Sequence, residues 1–512
     1  MVTTQEKKMP QKVLLIYTEL GFTGSYLVQA PISLVYVSTK IVHFPEIEIE
    51  ILDCRVQKDW RQIISQKLTE ENILLVGFFV MSGLQVEKAY EVTKYCKEVN
   101  SQVPVIWGGP HPTILAEDVL NYGKIDFCVR GFGTDALTDL VKKLLGNLKD
   151  FETIPNLCFI KDGKNVIGEI NSSYERINYK DLPYHLLDPI IEKIFETSGE
   201  RTFPIYTAFG CPYLCNFCIS PIWFNDTNKK WDPLPAPEVV DHIEFLMQTY
   251  NISMVYFWDD DTFVSPRHFS RIAEEILKRN LDIQIGVRGI RSNELDRMDD
   301  KDLNLLEQVG VKFLHIGVEN GSQRMLDLMK KGITVEQSFS ANRKLARHGN
   351  IVPMYNMLTG IPSETLEDLE ETGRFMLQMM EENPHAIIHA PNKLIPYPGG
   401  EAYEIAIKHG FKAPRKPEDW KNMDQEGDVY FPWYTPKYNR YIQLLQVTSF
   451  FLSNWEGYLK HHPSWVLRLY KIAKTVYKPI ATMRLKKARA DFLVEFPIFQ
   501  LARKILEKLA PA

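Results

Sequence analysis

No stretch of this chain reaches the roughly 18 consecutive apolar residues that a membrane-spanning helix needs. Charge of one sign is also missing. Sixty basic residues against 65 acidic ones leave a net charge of −5, so no overall electrostatic case favours nucleic acid. There is no long internal repeat and no low-complexity tract, which sets aside solenoids and biased segments. Met1 to Pro10 lacks a secretory pattern and runs straight into the strand-like Val13–Tyr17. Cysteine is sparse, with seven in 512 residues, an odd number without a regular framework. That argues against a secreted disulfide scaffold and fits a cytoplasmic chain. What remains is ordinary globular composition, 45% hydrophobic and 24% charged, in a chain long enough for two or three cores.

Apolar strand runs alternate with helical patterns from residue 12 to about 147, as in an open parallel sheet. The expected strands are Val13–Tyr17, Ile47–Leu52, Ile73–Phe79, Val103–Trp107 and Phe127–Val129. Loops at the carboxyl ends of such strands bind ligands. Here they are Thr18–Gly24, Met81-Ser82-Gly83, Gly108-Gly109-Pro110-His111 and Gly131–Thr134. Residues 148–200 read as a connecting segment with a hairpin over Leu157–Ile167, turned at Asp162-Gly163. A second alternation spans 201–429, with strands expected at Phe203–Thr207, Met254–Trp258, Ile283–Val287, Phe313–Ile316, Pro353–Leu358 and Ala386–Leu394. Six β/α units make a partial barrel, with its active site at the carboxyl ends of the strands. Residues 430–512 read as a helical domain, rich in aromatics and basic near its end.

Four cysteines, Cys54, Cys96, Cys128 and Cys158, are scattered and read as small buried hydrophobes. The other three, Cys211, Cys215 and Cys218, lie on one loop just after a strand. Thiolates on short spacings hold iron–sulfur clusters, and three of them leave one iron of a cubane without a protein ligand. An open coordination position is where a metal centre does chemistry. Zinc is the alternative. A structural zinc wants a fourth ligand, and the nearest in sequence are Cys158, His185 and His242.

The Cys-x3-Cys-x2-Cys spacing, with Phe217 before the last cysteine, resembles the signature of the radical S-adenosylmethionine (SAM) superfamily. Further segments follow in that family's order. Trp258-Asp259-Asp260-Asp261-Thr262-Phe263 resembles the stretch that contacts the SAM amino group. His315-Ile316-Gly317-Val318-Glu319-Asn320-Gly321-Ser322 resembles the element whose Glu reaches toward SAM. Gly360–Thr365 and Ile395–Gly400 resemble the Gly/Pro elements after the fifth and sixth strands. Alone, each reads equally as a capped turn. The resemblance spans residues 200 to 400. It implies a [4Fe–4S] cluster on Cys211, Cys215 and Cys218, with SAM near Tyr213, Phe217, Asp259, Asp260 and Glu319. Arg288 and Arg291, after the third strand, are candidates for the SAM carboxylate or ribose. Phe209 departs from the pattern, standing where many relatives have Arg.

The preceding domain resembles the cobalamin-binding domain of B12-dependent radical SAM enzymes, on Trp107-Gly108-Gly109-Pro110-His111-Pro112-Thr113. The resemblance implies cobalamin beside Ser82, Gly83, Gly108, Gly109, Pro110 and His111. The Asp-x-His-x-x-Gly motif that supplies an axial histidine elsewhere is absent, and Gly131-Phe132-Gly133-Thr134 replaces a Gly-Glu-Gly-Glu common in relatives. A Rossmann-like module that has lost its ligand is the alternative.

The implied activity is cleavage of SAM to a 5′-deoxyadenosyl radical and methylation of an unactivated carbon of a small-molecule or lipid substrate, fed by a donor such as flavodoxin or ferredoxin. Cyclisation or rearrangement without methyl transfer is a second reading, and a zinc-stabilised, non-catalytic binding protein a third. A methylthiotransferase is disfavoured, because no second cysteine set precedes Cys211. For residues 430–512 two readings stand: a helical cap over the barrel and its substrate pocket, or a peripheral membrane contact through the apolar, basic-dotted stretch Phe492–Leu509. Pro497 there marks a helix start.

Overall fold

Val13, Leu14, Leu15 and Ile16 are apolar on both faces of one strand, and all four are buried. That strand, β1 (Gln11–Tyr17), lies inside a parallel sheet with β2 (Ile47–Asp53), β3 (Ile73–Phe79), β4 (Val105–Gly108) and β5 (Phe127–Val129) in the order β2-β1-β3-β4-β5. The computed structural model describes residues 10–20, 28–170, 176, 178–224, 230–423, 431–456, 463–491 and 493–509. The Thr18–Gly24 loop therefore lies mostly outside the described residues, as does Phe492. Pro104 cannot donate a ladder hydrogen bond, and β4 begins only after it. The four scattered cysteines are all buried, as their isolation in sequence suggested.

The expected hairpin forms from β6 (Leu157–Lys161) and β7 (Lys164–Val166), but it is not a free-standing connector. β6 pairs antiparallel with β5, placing Cys158 opposite Cys128, so the hairpin completes the first sheet.

The second sheet starts with β8 (Thr202–Ile205). A short antiparallel pair follows, β9 (Ala208–Phe209) with β10 (Asp232–Pro233). Then come β11 (Met254–Phe257), β12 (Gln284–Arg291), β13 (Val311–Glu319), β14 (Val352–Thr359), β15 (Ile387–Ile388) and β16 (Asn392–Lys393). Neighbours run β8-β11-β12-β13-β14-β15 in parallel, with β16 also beside β14. This is the partial six-unit barrel. Its sixth strand is two short pieces rather than one run over Ala386–Leu394, because Pro391 between them has no N–H to give. Along β14, Pro353, Tyr355 and Met357 are buried toward the outer helices, while Met354, Asn356 and Leu358 face the partly accessible lumen.

The carboxyl-terminal helices Pro436–Leu452 and Ser464–Lys486 pack on the outside of the barrel against helix Leu366–Glu382. A Cβ on Gly373 would lie 2.7 Å from Tyr441 Oη, so glycine is what lets these helices approach. Helix Glu495–Leu509 follows, with Pro497 in its first turn as expected. Residues 453–455 seal the open side: Ile388 N–H donates to Ser453 Oγ at 2.9 Å and Asn454 N–H to Ala386 O at 3.3 Å. These residues close an edge of the barrel. Among the described residues no helix is long and apolar enough to cross a membrane.

The two sheets meet through a buried polar chain. Arg55 Nη2 lies 2.7 Å from Asp53 Oδ2 and donates to Gln29 O, and Thr202 Oγ1 at the start of β8 donates to Gln29 Oε1 at 3.1 Å. Asp53 is wholly buried and Arg55 nearly so. Asp53→Ala should therefore leave a buried guanidinium unpaired and cost about 3–5 kcal/mol. Denaturant unfolding checks this, and a loss under about 1 kcal/mol, typical of a surface pair, would contradict the assignment.

Candidate active site

The loop from Gly210 to Ile219 has no strand or helix to fix it. Two acids at the end of β11 hold it from behind. Asp259 Oδ1 accepts from Thr207 N–H at 2.6 Å and Ala208 N–H at 3.1 Å, just before the loop. Asp260 accepts from Ser220 Oγ, just after it, and from Gly210 N–H. Burial pushes the Asp259 carboxyl up to about 6, against those hydrogen bonds. A Cβ on Gly289 would sit 2.5 Å from Asp259 O and 2.7 Å from Asp260 O, so glycine there lets β12 pass this turn. At the loop's centre Asn216 N–H donates to Met329 O, Asn216 Nδ2 donates to Leu328 O, and Asn216 O accepts from Ala402 N–H. Gly400, in the segment expected after the sixth strand, would place a Cβ 3.3 Å from Asn216 O.

Held this way, Cys215 is buried, and Cys211 and Cys218 are partly exposed. Burial pushes the Cys211 thiol up to about 12 and raises Cys218 as well, so metal binding here displaces protons. Arg291, at the end of β12, sends Nη1 to 3.5 Å from Cys215 Sγ, and Nη2 donates to Lys331 O. Its guanidinium lies 3.8 Å from the Tyr213 ring centre. Tyr213 Oη donates to Glu294 Oε1 at 2.9 Å. Burial, and then the neighbouring Glu294 carboxyl, push Asp261 well above the usual carboxylate range.

On the other side, Lys331 Nζ donates to Glu319 Oε1 at 2.7 Å and lies 6.0 Å from the Phe217 ring centre. Both members of this ion pair are almost wholly buried. Glu319 has φ of 59°, a left-handed backbone that costs about 1–3 kcal/mol and concentrates at functional sites. A Cβ on Gly317 would fall 2.5 Å from Glu319 Oε1 and 2.7 Å from Lys331 Nζ, so the glycine preceding this glutamate makes room for the pair.

The structure thus gathers Cys211, Cys215, Cys218, Tyr213, Phe217, Arg291 and Glu319 at one end of the barrel. Asp259 and Asp260 are adjacent but turned back to support the loop, and Glu319 is engaged by Lys331. Arg288 lies apart in the lumen, 5.3 Å from the Trp258 ring centre. It lowers His315 and His389, whose rings stack at 6.1 Å and whose first cause of lowering is burial. Trp455, from the carboxyl-terminal segment, meets His389 at 5.4 Å. Lys331, Glu294 and Ser220 escaped the reading of the sequence. Lys330-Lys331-Gly332 looks like a solvated turn and Ser292-Asn293-Glu294 like a helix start, so no local signal marked them.

In the first domain, Gly83 and Gly109 have φ of 120° and 104°. A Cβ on Gly109 would meet Val80 O at 2.9 Å. Gly108 ends β4, and Pro110 starts the short helix Pro110–Ile114. Ser82 Oγ lies 3.0 Å from His111 Nδ1, and Tyr122 Oη 3.4 Å from Nε2. Trp420 covers the His111 ring at 4.8 Å, and burial pushes its imidazole down to about 3. With both ring nitrogens engaged inside the domain, His111 shapes the loop from beneath and is not presented as a metal ligand. Trp420 also shows that residues 417–422 pack onto the first domain, although they follow the barrel in sequence. Phe209, the departure from the Arg pattern, packs with Tyr206 at 5.1 Å and Tyr36 of the first domain at 6.2 Å. It serves as an apolar joint between that domain and the cysteine loop. Gly399 approaches Ile114 of the first domain in the same way.

The residues fit the implied groups. Three thiols on one loop, with a guanidinium at Cys215, suit a cluster that leaves one iron open. Among the described residues no three His, Cys, Asp or Glu side chains are gathered as for a single metal ion. The glycine-lined strand ends of the first sheet suit a large planar ligand. Thr18 Oγ1, at the end of β1, is buried there with no hydrogen-bond partner.

Residues 25–141 match the B12 binding domain family, and residues 205–376 match the radical SAM superfamily. The chain is 25% identical, over 76% of its length and 80% of the relative's, to a protein named as an uncharacterised methyltransferase of Pyrococcus horikoshii. It is 29% identical, over 60% of its length and 55% of the relative's, to the anaerobic magnesium-protoporphyrin IX monomethyl ester cyclase of Rubrivivax gelatinosus. Its fold matches the cobalamin-dependent SAM radical enzyme OxsB with a TM-score of 0.66, over 94% of this chain and 72% of that one, at 17% identity. It matches the radical SAM methyltransferase TsrM of Kitasatospora setae with a TM-score of 0.60, over 82% and 84%, at 17% identity. The chain belongs to the radical SAM enzymes that carry a B12-binding domain, families that imply a [4Fe–4S] cluster, SAM and cobalamin as cofactors.

Gly317→Ala should displace the Glu319–Lys331 pair. Iron content should stay and SAM cleavage should fall at least about tenfold, the effect of about 1.4 kcal/mol on a barrier. Unchanged SAM cleavage would contradict the pair's place in the site. Glu364, in the Gly360–Thr365 element, is pushed up to about 7 by burial, against hydrogen bonds from Tyr438 Oη, Asn320 Nδ2 and Gly360 N–H. The fold favours its protonated form. Its contribution is complete below about pH 4.5 and is lost as pH rises through about 7, a fall of roughly 3 kcal/mol. Glu364→Gln should flatten stability-versus-pH curves across that window, and a variant with the wild-type slope would refute the assignment.

Proposed function

We propose that the chain is a methyltransferase that acts on an unactivated carbon of a small-molecule or lipid substrate. One observation carries this reading: the domain that would hold cobalamin packs against the loop that would hold the cluster. Tyr36 of the first domain meets Phe209, just before the cysteines, at 6.2 Å, and Ile114, in the helix after Gly109, lies against Gly399, whose neighbour Gly400 lies against Asn216 O inside the cysteine loop. When bound, the cluster with SAM supplies a hydrogen-abstracting radical and cobalamin supplies a methyl carrier. The chain's own residues position and enclose. Asp259 and Asp260 fix the cysteine loop, Arg291 places a positive charge at Cys215, and Glu319 with Lys331 offers a paired carboxylate and ammonium to the zwitterionic amino-acid end of SAM. The lumen lined by Tyr256, Trp258, Arg288, His315 and His389 is the proposed substrate chamber. The reductant would be a small carrier such as flavodoxin or ferredoxin.

The cyclase relatives favour a second reading, ring closure or rearrangement without methyl transfer. The two readings differ in what becomes of SAM. The purified enzyme, anaerobic and loaded with cluster and cobalamin, would be given cell extract, reductant and SAM labelled in its methyl group. Methylation predicts a labelled product and equal amounts of S-adenosylhomocysteine and 5′-deoxyadenosine. Production of 5′-deoxyadenosine alone, with no label transferred, would overturn the proposal in favour of the second reading.

A further inference from the structure

Helix Ser464–Lys486 has two apolar faces, and the fold uses one. Val466, Tyr470, Ala481 and Leu485 are buried against the rest of the molecule. On another side Trp465, Leu469, Ile472, Val476, Ile480 and Met483 recur at steps of three and four, which sets them in one row. They are 49, 56, 61, 65, 42 and 41% exposed. Beyond the helix, Val494, Ile498 and Leu501 repeat the same spacing and are 73, 69 and 61% exposed. Scattered exposed leucines need no explanation, but a continuous apolar row marks an interaction surface.

The charges on the helix itself are of one sign. From Ser464 to Lys487 the chain has seven Lys and Arg and no Asp or Glu. Lys471, Lys478 and Lys487, with Glu456, border a groove of about 930 Å³ that reaches Met483 of the row. Lys471 is paired with Glu456 at 3.0 Å, and Lys486 with Glu381 at 3.5 Å. Lys478 and Lys487 make no ion pair among the described residues. A second copy seated row to row would bring lysines to lysines, with no acid on this helix to meet them. The 19 residues of the row from Trp465 to Met483 span about 27 Å, long enough to lie along a plane.

We propose that this face seats the protein peripherally on an anionic lipid bilayer. The apolar row enters the boundary between headgroups and acyl chains, and the lysines reach lipid phosphates on their long stems. Vesicle flotation of the full-length, cluster-loaded protein tests this, with neutral phosphatidylcholine vesicles compared with vesicles containing about one-third phosphatidylglycerol. Flotation with the anionic vesicles is expected at about 50 mM salt and should weaken at about 500 mM. Leu469→Glu/Ile472→Glu/Val476→Glu should reduce binding at least about tenfold without loss of iron, and Lys478→Glu/Lys487→Glu should do so by a route that leaves the apolar row intact. Absence of flotation with anionic vesicles would overturn the proposal. So would binding that both variants retain, or a stable dimer in sedimentation that the triple variant dissociates.

Discussion

Everything at the barrel mouth depends on the hydrogen bonds that Asp259 and Asp260 accept from the ends of the cysteine loop. The loop is ten residues long and has no ladder or helix of its own. Without anchors, three thiols on such a loop would sample many arrangements, and a cluster needs one. Asp259, at the end of β11, supplies acceptors in a place closed to water, where a hydrogen bond to backbone N–H is strong and costly to leave unmade, and the exposed Asp260 beside it takes the bond from Ser220 at the loop's far end. The raised pKa of Asp259 is the cost of that placement. Gly289 is what allows β12 to run past the same turn, so support for the loop and the position of Arg291 come from one local constraint.

The two sheets are joined by small contacts of different kinds. The Asp53–Arg55–Gln29–Thr202 chain is polar and buried, the Phe209–Tyr206–Tyr36 contact is aromatic, and residues 417–422 return from beyond the barrel to pack Trp420 over His111. Together they hold the ligand-binding edges of both sheets in register. The aromatic at position 209 makes sense in this light, since a ring there joins the domains where an arginine would bring charge.

Much of the fold was legible because parallel strands covered on both faces are apolar throughout, and their spacing exposes the β/α units. The cysteine spacing and the order of the later Gly- and Pro-rich elements made the site legible too. What sequence hid was direction. Asp259 and Asp260 point back into the loop, Glu319 is bound by a lysine twelve residues on, and His111 faces the interior, because side-chain orientation at strand ends depends on tertiary neighbours. The broken sixth strand followed from Pro391, a signal that was available. The joining of β6 to β5 was not available, because a hairpin's pattern does not name the edge it will pair with.

The most direct test of this account is joint quantification of iron and cobalamin in the anaerobically reconstituted protein, with an electron paramagnetic resonance spectrum of the reduced state. The account predicts about four irons and one cobalamin per chain, with the iron signal lost in Cys211→Ala, Cys215→Ala and Cys218→Ala while cobalamin is retained. Zinc in place of iron, or iron that survives removal of these cysteines, would contradict it.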